Sequence, residues 1–165
     1  MKKIILFTLF IVFTTSVIFS EAQYKLGQIK MKRGTLDITY VKDGSRDFIK
    51  MIVKENLASL SLYLPTDLSN IRAYIDKYHQ WYKIATENKS VLNKTIGNLN
   101  TFRVDFQTNN GSYEIAFVET RTGLVNALFD PAQINAFKEI ISDQNIDNLL
   151  NEEKRKKEKE DQLFK

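Results

Sequence analysis

Residues Leu128 to Ile141 read LFDPAQINAFKEII, and residues Leu62 to Ile75 have already read LYLPTDLSNIRAYI, with the proline and most apolar positions in the same places. Laying Leu62 on Leu128 and sliding the whole chain by that offset, without a gap, extends the match toward the N-terminus. Leu36, Ile38 and Tyr40 fall on Phe102, Val104 and Phe106, and Ile49, Met51 and Ile52 fall on Ile115, Phe117 and Val118. Leu62, Tyr63 and Pro65 meet Leu128, Phe129 and Pro131. Leu68, Ile71, Tyr74 and Ile75 then meet Ile134, Phe137, Ile140 and Ile141. Identities are few; the recurring apolar pattern is what marks an internal duplication.

Each copy has a physical reading. TLDITYVK (35–42) and TFRVDFQT (101–108) alternate apolar with polar, as strands with one buried face do. Asp43-Gly44 and Asn110-Gly111 follow them, pairs that accept the positive φ angles of a tight hairpin. FIKMIVK (48–54) and YEIAFVE (113–119) are the return strands, and Ser59–Leu64 and Leu124–Phe129 are a further strand in each copy. LGQIKMK (26–32) and VLNKTIG (91–97) supply leading strands. The expectation is four antiparallel strands and then a helix, twice: an α+β chain of two ββββα repeats, its antiparallel sheets packed with helices.

The helices are expected to begin at the two prolines. Pro131 suits a first helical position, with Asp130 as cap and Gln133 reaching back to it. Pro65 stands in the same place in the first copy, with Thr66 or Asp67 as cap. Leu68, Ile71, Ile75, Tyr78, Tyr82 and Ala85 then form one helical stripe, opposite Arg72, Asp76, Gln80, Lys83 and Glu87. In the second copy the stripe fails at Gln144 and Asn148, which places a break near 142–145. A fresh stripe from Ile146 to Leu150 runs into EEKRKKEKEDQ, a solvated, charge-alternating helix end.

The stretch from Met1 to Ala22 is a different kind of text. Lys2 and Lys3 precede an apolar run from Ile4 to Phe19, and Ser20-Glu21-Ala22 puts small residues where a signal peptidase reads. Cleavage after Ala22 would leave Gln23 first and no membrane span. The organisation expected is therefore a signal peptide over 1–22, one domain over 23–150 and a charged helical or disordered tail over 151–165. The domain holds pseudo-repeats of about 25–89 and 91–150. The cysteine count is zero, so an exported domain of this kind is held by its core alone, which points to a periplasm or a bacterial exterior.

Without Lys2, Lys3 and Glu21, the 24 basic and 20 acidic side chains fall to 22 and 19, a net +3. The tail accounts for one of those charges, leaving the globular part near +2. That balance is not the footprint of a protein built to cover a phosphate backbone, so nucleic acid is not the expected partner. The order ββββα-ββββα resembles the whirly and PUR-repeat proteins, single-stranded nucleic-acid binders made of two such units. The resemblance covers most of the mature chain and concerns element order. The whirly strand motif Lys-Gly-Lys-Ala-Ala-Leu has its nearest counterpart in Lys30-Met31-Lys32-Arg33-Gly34-Thr35, and in Ile96-Gly97-Asn98-Leu99-Asn100-Thr101 of the second copy; both depart from it. The resemblance thus implies a fold, and would assign Lys30, Lys32 and Arg33 to nucleic acid only under that alternative. The whole pattern is also similar to small secreted proteins of Bacteroidota.

The inventory for chemistry is thin. His79 is the single histidine, which excludes a His-rich metal site, and neither a metal nor a cofactor is expected. Gly-x-Ser-x-Gly elbows, phosphate-cradling loops and dinucleotide fingerprints do not occur, so no residue is named as catalytic. His79 reads as a boundary side chain on the Leu68 edge of the helix stripe. Asp43, Asp47, Asp67 and Asp130 read as turn and cap residues. Asn88-Lys-Ser90, Asn93-Lys-Thr95 and Asn110-Gly-Ser112 match the glycosylation triplet, which matters only in a eukaryotic secretory pathway. Tyr74 and Trp81, at the margin of the first helix, are the candidate ligand platform, because flat rings with a polar edge suit wet contacts. The expectation is a secreted, non-catalytic binding module for a protein or glycan, with oligomerisation open. Single-stranded nucleic-acid binding is the alternative, and a hydrolase would need a cleft where several acids converge.

Overall fold

The computed structural model describes residues 22–32, 34–43, 46–55, 58–65 and 68–163. The leader read over 1–22 lies outside them except for Ala22, as do Arg33, the Gly44 turn position and the Thr66 and Asp67 caps. The chain is α+β. Strands β1 (Ala22–Met31), β2 (Gly34–Asp43), β3 (Arg46–Glu55) and β4 (Ala58–Pro65) form one antiparallel meander, followed by helix α1 (Leu68–Asn88). Strands β5 (Lys94–Leu99), β6 (Phe102–Asn109), β7 (Ser112–Glu119) and β8 (Val125–Phe129) form a second, followed by α2 (Pro131–Ile140) and α3 (Asp143–Leu163). The two ββββα units expected from the pattern are both present. Among the described residues, no helix is long and apolar enough to cross a membrane.

Local chemistry explains where the elements turn. Asn109 pairs with Ser112, and between them Asn110 and Gly111 adopt φ of 48° and 80°, the doubly positive geometry of a two-residue hairpin. Asp130 accepts from Gln133 N at 2.8 Å while Gln133 Oε1 accepts from Asp130 N at 3.0 Å, closing a capping box at Pro131. The helical stripe breaks after Ile140, as Gln144 and Asn148 require, and α3 then runs unbroken to Leu163 with an exposed charged end.

Three readings need correction. Pro65 does not open a helix: it ends β4, paired with Phe48, and α1 starts at Leu68. Asp43 and Asp47 are strand residues, and Tyr40 Oη donates to the Asp47 carboxylate instead of leaving it in a turn. The offset that lays Leu36 on Phe102 also fails in the fourth strands, where it would lay Tyr63 on Phe129. Tyr63 is 50 % exposed whereas Phe129 is fully buried; the partner of Ile49 is Leu64, and the partner of Ile115 is Phe129. From Val118 to its partner Val125 the chain is two residues shorter than from Ile52 to Ser61, and a bulge between Phe117 and Val118 restores only one of them, so that Leu64 is the true counterpart of Phe129.

The leading strands follow yet another offset, with Gly27 answering Gly97 and Ile29 answering Leu99. Each carries a bulge followed by glycine: Lys25 and Gly27 bracket it in β1, Thr95 and Gly97 in β5, and Gly27 and Gly97 pair with the equivalent residues Ile38 and Val104. At these glycines a helix side chain sits directly against the strand. A β-carbon on Gly97 would lie 2.3 Å from Tyr74 Cζ, and one on Gly27 would lie 2.9 Å from Ile140 Cγ1. Tyr74 and Ile140 are themselves equivalent, and each reaches the sheet of the other unit. The helices are crossed: α1 packs on β5 and β6, while α2 lies across β1 as well as β7 and β8. Tyr74 Oη donates to Asn98 O, Lys77 Nζ to Ile96 O and Gln133 Nε2 to Lys30 O, all between units.

One core results, holding Ile75, Tyr78, Phe106, Phe117, Phe129, Phe137 and Ile141 with almost no exposed surface. Gly97→Ala should destabilise by about 1–3 kcal/mol, because the added methyl displaces a ring held by its own hydrogen bond. In a Tyr74→Ala background the same substitution should cost little. Urea denaturation of the two single variants and the double variant measures that coupling.

Candidate functional site

Strand alternation gives each sheet one face toward the helices and one away from them. In the first sheet Leu36, Ile38 and Tyr40 pair with Val53, Met51 and Ile49 on the helix side. The opposite face therefore carries Lys25, Gln28 and Lys30 from β1, Thr35, Asp37 and Thr39 from β2, Phe48, Lys50, Ile52 and Lys54 from β3, and Ser61 and Tyr63 from β4. Lys25, Lys30 and Lys54 are exposed and Lys50 is half-buried. At the Phe48 end of this face Val41 is fully buried.

Asp37 is the single carboxylate among these residues, and it is only 8 % exposed. Lys54 Nζ stands 2.6 Å from its Oδ2, and Gln28 Nε2 donates to its Oδ1 at 2.6 Å. The Lys54 hydrogen bond, followed by that from Gln28, holds the carboxyl below its ordinary range, so it stays ionised. Phe48 and Tyr63 meet at 5.5 Å with planes tilted by 60°, and Lys50 Nζ stands 5.5 Å from the Tyr63 ring centre. Among its described side chains, the face thus has four lysines, one buried carboxylate and an exposed ring beside a lysine. Such a face can neutralise negative groups and stack one flat ring.

The second sheet presents nothing comparable. Its outer side has a polar groove of about 520 Å³ between β5 and β6, but Arg103 and Asp105 there are committed to each other and Lys94 to the Trp81 ring. Arg103 Nε donates to Asp105 at 2.9 and 2.8 Å, and Thr95 Oγ1 donates to the same carboxylate at 2.9 Å. Glu114, the other buried acid among the described residues, accepts from Asn109 and has Lys32 Nζ at 3.9 Å.

The aromatic residues singled out in sequence are at the seam between α1 and the second sheet. Tyr74 lies over Gly97 and donates to Asn98 O; Trp81 meets Phe106 edge-on at 6.0 Å. Lys77 and Lys94 stand over the indole at 4.9 and 5.4 Å, and the ring is packed against the core instead of standing out from it as Tyr63 does. These two side chains do not converge on an open platform. Of the residues considered for nucleic acid, Lys30 lies on the basic face, Lys32 is at the β1–β2 turn near Glu114, and Arg33 is outside the described residues. Lys25, Lys50, Lys54, Phe48 and Tyr63 were missed. The signal was there: each occupies a polar-side position of an alternating strand, but they meet only once the strands are laid side by side.

His79 sits on α1 against the Tyr78 ring edge at 5.3 Å. Partial burial, with nearby Lys138, lowers its pKa, and Asp76 opposes weakly. A group whose folded pKa lies below its unfolded value resists protonation in the folded state. Stability should therefore be level above about pH 6.5 and fall as the pH drops below it. Denaturation at pH 7.5 and pH 5 should show this loss, and His79→Gln should reduce it. No protein-family model, curated protein or solved structure matches the chain.

Proposed function

We propose that this protein is a secreted, non-catalytic binding module whose ligand is anionic and sits on the outer face of the first sheet. The observation that carries the reading is the lysine set Lys25, Lys30, Lys50 and Lys54 spread over one sheet face, with the exposed Tyr63 beside Lys50 and with Asp37 the one carboxylate among the described side chains of that face. The two buried acids, Asp37 and Glu114, are on different sheets and are tied to neighbours, so they do not make an acid–base pair. Export to a periplasm or bacterial exterior rests on the basic, apolar and small-residue sequence of the leader.

Replacing Lys25, Lys30 and Lys50 together by glutamine should abolish retention on an immobilised polyanion at about physiological salt. The unfolding midpoint should barely move, since substitutions at such surface positions change stability by about 0.5 kcal/mol or less each. Undiminished retention would remove the assignment. Single-stranded nucleic acid is the second reading. It is favoured by lysines alongside an aromatic pair on a sheet, and by the ββββα order shared with the whirly and PUR-repeat proteins. Its test is a salt titration with oligonucleotides, where tight binding would show a steep slope.

A further inference from the structure

We infer that the ligand of the first sheet's outer face is an acidic polysaccharide, a chain of sugar rings in which only some units carry a negative group. This rests on the reading of that face as the binding surface, and deepens it. Lys25 and Lys50 share a row two strands apart, about 10 Å, and Lys50 and Lys54 are about 13 Å apart along β3. A nucleic-acid strand carries a charge on every nucleotide, a denser array than this lattice. A polymer with sparser charges fits it better.

What stands between the lysines supports the same ligand. Gln28, Thr39 and Ser61 are neutral donors and acceptors suited to hydroxyl groups. Asp37 lies in the row between Lys25 and Lys30, held ionised by Lys54 and Gln28. There its remaining acceptor capacity suits a sugar hydroxyl. The face offers one well-exposed ring, Tyr63, tilted against Phe48. Single-stranded nucleic acids are held by several rings on which successive bases stack, whereas one ring suffices for the apolar face of one sugar. Four lysines and Asp37 sum to +3 among the described side chains of the face, more than the globular part's total, so no wider positive field draws in dense polyanions.

The test is calorimetric titration of the full chain with hyaluronan-derived and unsulfated chondroitin-derived oligosaccharides, which carry a carboxylate on every second ring, with carboxyl-reduced neutral hyaluronan oligosaccharides and with thymidine oligonucleotides. One of the acidic saccharides should bind at least about tenfold more tightly than the neutral oligomer and more tightly than the oligonucleotide. Tyr63→Ala and Lys50→Gln should each weaken that binding about fivefold or more, with the unfolding transition unchanged. If the oligonucleotide binds best and the same substitutions weaken it, the polysaccharide is overturned while the binding face stands. If no polymer binds, or the substitutions leave binding unchanged, both are overturned.

Discussion

A fragment of residues 22–89 is expected to remain unfolded, and so is one of residues 90–163, whereas the two mixed in equal amounts should fold together. The reason is the crossing of the helices. The apolar stripe of α1 docks on β5 and β6, which the first fragment lacks. Tyr74 would have no Gly97 to rest on, and Lys77 no Ile96 carbonyl. The second fragment loses β1 beneath Ile140 and the Lys30 carbonyl that Gln133 holds. Each ordered residue costs about 1–2 kcal/mol of backbone entropy, and a lone meander with half a core cannot offset that. Circular dichroism and urea denaturation measure the outcome. A cooperative transition from 22–89 alone would show that the units are independent.

Ile75→Ala and Ile141→Ala should each cost about 2–5 kcal/mol, in one shared transition. Both side chains are fully buried in the same cluster, at equivalent places on the two units. Two aromatic residues of that core are also tied by hydrogen bonds, which limits its collapse onto a cavity: Tyr78 Oη donates to Tyr113 O, and Tyr113 Oη donates to Ala85 O. Denaturation followed by tryptophan fluorescence at Trp81 and by backbone dichroism should give coincident curves for both variants. Separate transitions, or a silent substitution at one of the two sites, would mean that the units do not share a core.

The duplication was readable because buried faces repeat with the period of their element. Two strands and a helix in each unit keep one common offset, the one that lays Leu36 on Phe102 and Ile75 on Ile141. The leading strands do not share it, although Leu26-Gly27-Gln28-Ile29 and Ile96-Gly97-Asn98-Leu99 are alike once aligned. A bulge changes register without leaving a compositional mark, and the first hairpin is longer than the second: Gly27 reaches across to Ile38, Gly97 only to Val104. Pro65 misled for a related reason: the same residue suits a first helical turn and a strand end, and its surroundings decide. The basic face was hidden because its lysines belong to separate strands, and only pairing brings Lys25 level with Lys50.

The glycine seats also govern when this chain can fold as it is made. Gln133 and Lys30, bonded across the units, are 103 residues apart, and the ring of Tyr74 waits for a glycine not yet synthesised. Contacts this distant are slow to close and give nothing until both ends exist. A ribosome-bound chain therefore stays an open polymer until β5 to β8 and α2 are free.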